Sequence, residues 1–185
     1  MLFVTMFGLS LLVALLLYGV LKEGDIPRKI PLLVTEDAAN TFTTTQILLP
    51  NVKGETVFDL DKVQLNLKPV VPAAVDDWGE YTVQIVRDTG TVPTAILSVE
   101  DSRVLYHAVV RTTSGTEAAD LIFIDRDEIG KEHVGYAEYI ANDSLYMSVL
   151  GDAQAVATVV AGWMIGSVEK LTALQVMALL TSQLN

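Results

Sequence analysis

Hydrophobic and polar residues alternate in short runs along most of the chain after residue 46. The alternation is clearest at 63–67 and 81–85, where every second residue is apolar. A period of two places alternate side chains on one face and is typical of half-buried β-strands. The pattern predicts strands at 47–49, 63–67, 81–86, 95–99, 104–110, 121–124, 134–140, 145–150 and 155–168.

Turn-forming residues separate these runs and set the fold class. Gly, Asn, Asp and Ser cluster at 51–54, 88–90, 113–115 and 142–143, which are suitable places for hairpins and Greek-key corners. Many short strands with little helix between them predict a mainly β domain, a single jelly roll or β-sandwich of about eight strands. Thr172 and Gln175 form a capping-box pattern before an apolar run, which predicts a short C-terminal helix.

The first 21 residues carry no charged side chain and predict a transmembrane helix. As a helix the run is about 31 Å long, which matches a hydrocarbon core of about 30 Å. No basic residue precedes the run and the residues after it make a poor cleavage site, so we expect an uncleaved anchor rather than a signal peptide. The residues expected to contact lipid are Leu2, Phe3, Val4, Phe7, Leu11, Leu12, Leu15, Leu16, Leu17, Tyr18 and Leu21.

The segment 22–46 is interpreted as a linker between the span at 1–21 and a β domain at 47–185. Pro27 and Pro31 prevent a helix from continuing through it. Basic residues follow the span, and although acidic residues dilute them, the positive-inside rule favours a β domain on the cytoplasmic side.

Composition narrows the possible partners. The chain has 185 residues with 23 Asp plus Glu against 12 Lys plus Arg, a formal charge of -11. This charge repels phosphates and argues against a nucleic-acid partner, while it suits a halophilic protein that stays hydrated in high salt. The absence of Cys excludes disulfides, a thiolate nucleophile and Cys-based metal sites.

Candidate catalytic and metal-binding residues are few. His107 and His133 are the two histidines, and neither lies in a recognisable catalytic motif. Phosphate-binding glycine loops are absent as well, so we predict neither an enzyme nor a cofactor. Asp125, Asp127 and Glu128 are weak candidates for binding a hard cation, but a solvated charged turn is the default interpretation and no metal site is predicted.

The C-terminal part of the sequence resembles the end of a single jelly-roll capsid protein. The resemblance rests on a strand at 145–150, a small-residue turn at 151–153, a long strand at 155–168 and a helix from Thr172. The similarity is to the small major capsid proteins of icosahedral, tailless viruses with an internal membrane, notably those of haloarchaea. The N-terminal span departs from that family, whose major capsid proteins lie above the membrane, and favours a minor virion protein that ties the shell to the membrane.

These patterns predict a structural virion protein that anchors, or forms part of, the capsid shell on the membrane of a membrane-containing virus. Its expected partners are the lipid bilayer and other subunits of the assembly, including copies of itself. Trp78 and Trp163 lie on or beside predicted strands, where aromatic residues fill a core or form a subunit contact. The alternative is a pilin-like or cell-surface β-sandwich binding module anchored in a membrane, although Thr5 stands where bacterial pilins have Glu.

Overall fold

The computed structural model describes residues 27–50, 52–74, 78–113, 121–127 and 138–183. These ranges contain nine strands and one helix, so the prediction of a mainly β domain is confirmed. The elements are β1 (Arg28–Thr35), β2 (Thr43–Leu48), β3 (Thr56–Asn66), β4 (Trp78–Arg87), β5 (Val104–Thr113), β6 (Leu121–Asp127), β7 (Glu138–Ile140), β8 (Ser144–Asp152), β9 (Val159–Lys170) and α1 (Ala173–Gln183).

The strands form two antiparallel sheets that enclose one hydrophobic core. Sheet A has the order β1-β9-β3-β7, and sheet B has the order β2-β8-β4-β5-β6. In the strands whose side chains are described, alternate residues point between the sheets, as the period of two requires. The largest fully buried apolar side chains come from both sheets: Leu32, Phe58, Ile140 and Met164 from sheet A, and Tyr81, Ile85, Leu105, Leu145 and Met147 from sheet B.

The predicted linker at 22–46 is wrong from residue 28 onward, because β1 and most of β2 lie within it. Ile30, Leu32 and Val34 of β1 are buried in the core. Pro31 and Leu33 occupy outward positions between them, so five consecutive apolar residues conceal the alternation. β1 is an edge strand, where a proline can lie without breaking a ladder of hydrogen bonds.

The strand predicted at 95–99 is absent, and this stretch belongs to a long connection between β4 and β5, residues 88–103, that we call the strap. Gln84 is 1% exposed, and its side-chain amide bonds the strap backbone at Leu97. The Gln84 Nε2 donates to the carbonyl of Leu97, and the Leu97 N–H donates to Gln84 Oε1, both at 2.9 Å. A side chain therefore fills the role that a neighbouring strand would play.

β9 lies between β1 and β3, and its inward face includes two glycines. A Cβ on Gly162 would stand 2.2 Å from the backbone oxygen of Gln64, and one on Gly166 would stand 2.3 Å from the backbone oxygen of Asp59. A β-bulge in β3, between Leu60 and Lys62, lies near the second glycine. The close approach of β9 to β3 is therefore possible only without side chains at these two positions.

The C-terminal helix is confirmed, with the predicted cap. The Thr172 N–H donates to Gln175 Oε1 at 2.9 Å, and the Gln175 N–H reaches Thr172 Oγ1 at 3.4 Å. This is the reciprocal arrangement of a capping box. α1 has 11 residues, and no helix in the described part of the chain has the length and apolarity needed to cross a bilayer. The span predicted at 1–21 lies outside the described residues.

Tyr81 fixes the connection that follows β3. Its hydroxyl oxygen accepts a hydrogen bond from the Lys68 N–H and donates one to the Lys68 carbonyl, both at 3.0 Å. Burial raises the pKa of Tyr81 to about 12, above its ordinary value of about 10. The stabilisation from this phenol is therefore complete below about pH 10 and is lost as the pH rises towards about 12.

We expect Tyr81→Phe to lower the free energy of unfolding by about 1–3 kcal/mol, because it removes both bonds and leaves a partly buried backbone N–H without its acceptor. Tyr146→Phe is the matched control, since the Tyr146 hydroxyl makes no hydrogen bond to the described residues. Urea unfolding of the full chain in mild detergent, followed by Trp fluorescence, measures both. Equal effects of the two substitutions would contradict this role of Tyr81.

Candidate interaction surfaces

The structure places only part of the three weak candidates for cation binding, Asp125, Asp127 and Glu128. Asp125 and Asp127 belong to β6, where their backbones pair with Val109 and His107 of β5, and their side chains lie outside the described residues, as does Glu128. In the part of the chain that the structure describes, no group of three or more His, Asp or Glu is arranged to hold a metal ion. The cation hypothesis therefore gains no support from the geometry.

One end of the sandwich is defined by the start of β1 and by α1, and we call it the α1 end. It comprises the first residues of β1, the β2–β3 connection at 52–55, the β7–β8 connection at 141–143 and α1. Register shows why they meet: Arg28 pairs with Gly166, and β9 continues in the same direction to Lys170, which pairs with Thr56. The Leu171 N–H then donates to the Glu55 carbonyl at 2.8 Å, which ties the start of α1 to this end.

The α1 end also carries a compact polar turn. The Gly90 N–H donates to Asp88 Oδ1 at 2.7 Å, and the Ser144 hydroxyl donates to Asp88 Oδ2 at 2.5 Å. The Asn142 side chain donates to the Asp88 carbonyl. Burial, and to a smaller extent the charge of Asp88, raise the pKa of Tyr146. These bonds hold the first residues of the strap against the β7–β8 connection.

Positive charge is present at the same end, close to acidic groups. Arg28 and Lys29 begin β1, Lys53 lies in the β2–β3 connection, and Lys170 ends β9. Lys170 lies 3.5 Å from a carboxylate oxygen of Glu55, and both side chains are exposed. An exposed pair of this kind adds little to stability, so Glu55 does not prevent Lys170 from binding another anion.

α1 presents an apolar face to solvent. Leu174 is 82% exposed and Met177 is 64% exposed, whereas Val176 is buried. Ala178 and Thr181 are also exposed and complete a face with the spacing i, i+3, i+4 and i+7. The helix contains no charged residue. An uncharged helix that exposes large apolar residues is a candidate interaction surface.

The outer face of sheet A has a second apolar surface, which we call the outer stripe. Leu33 is 57% exposed and pairs with Ala161, while Val159 is 50% exposed and pairs with Thr35. The Nζ of Lys29 lies 3.7 Å from the ring centroid of Trp163, which pairs with Pro31. The residues of the stripe are Pro31, Leu33, Val159, Ala161, Trp163 and Ile165, and β3 borders it with the polar residues Lys62, Gln64 and Asn66.

The opposite end of the sandwich is held by a buried carboxylate. Glu36, directly after β1, is 2% exposed. The Gly151 N–H donates to its Oε1 and the Thr158 N–H donates to its Oε2, both at 2.7 Å. Asn40 and Gln154 add a further pair of bonds, in which the Gln154 N–H donates to Asn40 Oδ1 at 2.8 Å and Asn40 Nδ2 donates to the Gln154 carbonyl at 3.1 Å. We call these five residues the clasp, because they join sheet A to sheet B.

Ionisable groups in and beside the strap form contacts that stabilise its conformation. Arg103 donates two hydrogen bonds to Asp101, at 2.9 and 2.7 Å, which lower the pKa of Asp101 to about 2. Burial lowers the pKa of Arg87, and its guanidinium donates to the Ser102 carbonyl. These contacts close the strap on itself near the start of β5.

The sequence pattern does not identify the residues that form these surfaces. Glu36 carries no local signal, since its partners lie 115 and 122 residues away along the chain. The apolar run predicts a helix that contains Leu174 and Met177. It does not indicate which face of that helix the sandwich leaves uncovered. Trp163 was expected in a core or a subunit contact, and it lies half-buried on the outer stripe. The contact between Lys29 and the Trp163 ring is a partial indication of the outer stripe, but it can be recognised only once the register of β1 and β9 is known.

Comparisons with known proteins give little information about this chain. No protein family matches the sequence, and no curated protein matches it. A similar solved structure is the tailspike protein gp49 from the Acinetobacter baumannii bacteriophage Fri1, a capsular polysaccharide depolymerase, at 15% identity and a TM-score of 0.15. The aligned part covers 76% of this chain and 21% of the tailspike chain, so this chain spans about a fifth of that protein. A TM-score of this size carries no argument about fold or function.

Proposed function

We propose that this protein is a structural subunit of a membrane-containing virion, in which residues 1–21 anchor a single jelly roll to the membrane. The observation that carries the proposal is the pairing order of the strands, together with the uncharged apolar segment that ends seven residues before β1. The proposed mechanism is tethering at the membrane followed by lateral assembly of many copies.

The pairing order supports a jelly roll within the sandwich. A jelly roll is a long antiparallel hairpin of eight strands that is rolled up, so that the first strand pairs with the last and each successive pair changes sheet. Leaving out β6, the pairs here are β1 with β9, β2 with β8, β3 with β7, and β4 with β5. The first and third pairs lie in sheet A, and the second and fourth lie in sheet B. β6 is an additional strand at the edge of sheet B, beside β5.

A jelly roll by itself does not define a function, because lectin domains and cupins share it with viral capsid proteins. The uncharged apolar segment at 1–21 favours a protein held at a bilayer. The outer stripe adds an apolar surface on the side of the sandwich, where neighbouring subunits of a shell would meet. Anchoring many copies on one membrane raises their effective concentration, so weak contacts through such a surface are sufficient for assembly.

The test compares the full chain with a chain that begins at residue 26, which leaves β1 and the clasp intact. We expect the full chain to float with phosphatidylcholine vesicles in a density gradient and to form ordered patches on them, visible by electron cryomicroscopy. We expect the truncated chain to stay in the dense soluble fraction and to form no patches, because a span of about 20 apolar residues is the main attraction to lipid.

Full-length chain with Leu12→Arg and Leu15→Arg is the matched control for chain length. Each arginine at mid-span costs about 2.5–3.5 kcal/mol on insertion scales, so this variant should behave as the truncated chain does. Flotation of the truncated chain, or a full chain that floats but stays dispersed as single subunits, would overturn the proposed function.

A further inference from the structure

We infer that the exposed face of α1 lies in the headgroup region of the bilayer, as a second lipid contact beside the N-terminal anchor. The inference rests on the proposed function, because it needs residues 1–21 to cross the membrane. It goes beyond that function by assigning a lipid-binding surface within the folded domain and by fixing which end of the sandwich faces the membrane.

The placement follows from chain length and strand register. Seven residue steps separate Leu21 from Arg28, and a fully extended chain covers at most about 25 Å over that distance. β1 therefore begins within about 25 Å of the point where the anchor leaves the bilayer. Arg28 pairs with Gly166, and β9 continues for four residues to Lys170, about 13 Å further along the strand direction. α1 begins directly afterwards, on the side from which the anchor enters.

The chemistry of α1 suits the interface between lipid and water. Eleven residues make a helix of about 16 Å, too short for a hydrocarbon core of about 30 Å, so the helix lies along the surface. Leu174 and Met177 expose most of their side chains, and no charge opposes their entry into an apolar phase. A helix of this kind binds a membrane in proportion to the apolar area that it buries.

The bilayer is the occupant favoured over a second copy of the chain because the covalent anchor brings it to this end in every molecule. The cations of the α1 end, Arg28, Lys29, Lys53 and Lys170, would lie beside α1 at the level of the lipid headgroups. Anionic headgroups attract basic residues near a membrane surface. A protein partner would need a separate surface to reach α1 in the narrow gap between the sandwich and the membrane.

The chain contains no Cys, so single-cysteine variants report one position each. The experiment uses full chain carrying Met177→Cys, labelled with an environment-sensitive fluorophore and reconstituted in vesicles of phosphatidylcholine and phosphatidylglycerol. The matched control carries Ala157→Cys, an exposed position in the β8–β9 connection at the opposite end. Two quenchers are compared: iodide in the aqueous phase and a spin label attached to the lipid near its headgroup.

We expect the label at 177 to be quenched several-fold more by the lipid spin label than by iodide, and the label at 157 to show the reverse. Protein that floats with vesicles while both labels respond to iodide alone would overturn this inference and leave the anchor in place. A label at 177 shielded from both quenchers would mean that protein covers α1, which also overturns it. Protein that does not float at all would overturn the proposed function together with this inference.

A second variant separates lipid contact from the effect of the label. The probe is moved to Ala178→Cys, and Leu174→Gln with Met177→Gln remove the apolar contact while keeping a residue of good helix propensity. The population in contact with lipid should fall about tenfold or more, given the hydrophobic contribution of two large side chains. Val156→Gln, an exposed apolar position at the opposite end, should leave the quenching unchanged. Unaltered quenching in the double variant would contradict the role of Leu174 and Met177.

Discussion

Replacing Glu36 by Ala is expected to lower the free energy of unfolding by about 3–5 kcal/mol, which is a large part of the 5–15 kcal/mol that holds a typical domain together. The carboxylate accepts one hydrogen bond at each oxygen, from Gly151 and from Thr158, both at 2.7 Å. Hydrogen bonds to a charged group are each worth about 1.5–3 kcal/mol, and removing the acceptor leaves two backbone donors without a partner. Urea unfolding of the full chain in detergent measures the loss.

Glu36→Gln and Asp37→Ala make the interpretation specific. The amide of Gln has nearly the same shape but turns an NH₂ group towards one of the two backbone donors, so its cost should approach that of Ala. Asp37 is the adjacent residue and is exposed, so its removal should change stability by no more than about 0.5 kcal/mol. If Gln at position 36 is as stable as Glu, the charge and its two acceptors do not hold the clasp.

The clasp joins the two sheets at one end of the sandwich. Glu36 follows β1 of sheet A, Gly151 lies in β8 of sheet B, and Thr158 precedes β9 of sheet A. It lies at the end of the sandwich away from α1 and the start of β1. Under the proposed function, this end would point away from the membrane, so loosening it would change the shape presented to neighbouring subunits without releasing the anchor.

Elements with one polar face were predictable from the sequence, because a period of two is visible when the outward residues are polar. The strands predicted at 63–67 and 81–86 overlap β3 and β4, and Thr172 with Gln175 predicts the cap of α1. β1 was missed for the converse reason, since Pro31 and Leu33 make its outward face apolar. The sequence pattern thus fails where an outer face departs from the usual polarity, and the outer stripe is such a face.

Long-range pairing accounts for the other failures. The segment 95–99 has the composition of a strand, yet Gln84 provides its hydrogen bonds from a side chain, and no local rule foresees this. The buried position of Glu36 depends on partners more than a hundred residues away. The burial of Glu36 is therefore decided by the register of strands that are distant in the sequence, whereas Gln84 and Leu97 are 13 residues apart and meet because the strap folds back onto β4.

Gly162 is expected to tolerate no side chain. It is an inward-facing residue of β9, where it pairs with Leu32 on one side and Leu65 on the other. An added Cβ would stand 2.2 Å from the backbone oxygen of Gln64 and 2.9 Å from the Cα of Leu65. Backbone atoms cannot rotate away as the end of a side chain can, so the strands would have to separate. Gly162→Ala should therefore cost about 3 kcal/mol or more, at the upper limit of ordinary overpacking.

Ala161→Val is the control that separates this clash from a general effect on strand β9. Ala161 is the adjacent residue and points outward on the exposed outer stripe, so a larger side chain has room and its effect should stay within about 0.5 kcal/mol. Valine also has a higher strand propensity than alanine, so this control adds a larger side chain without weakening the strand. The full chain carrying each substitution is unfolded in urea with Trp163, the neighbour of both positions, as a fluorescent reporter. Equal stability of the two variants would mean that β9 and β3 can move apart at Gly162 without loss, and that the packing of β9 against β3 does not depend on this glycine.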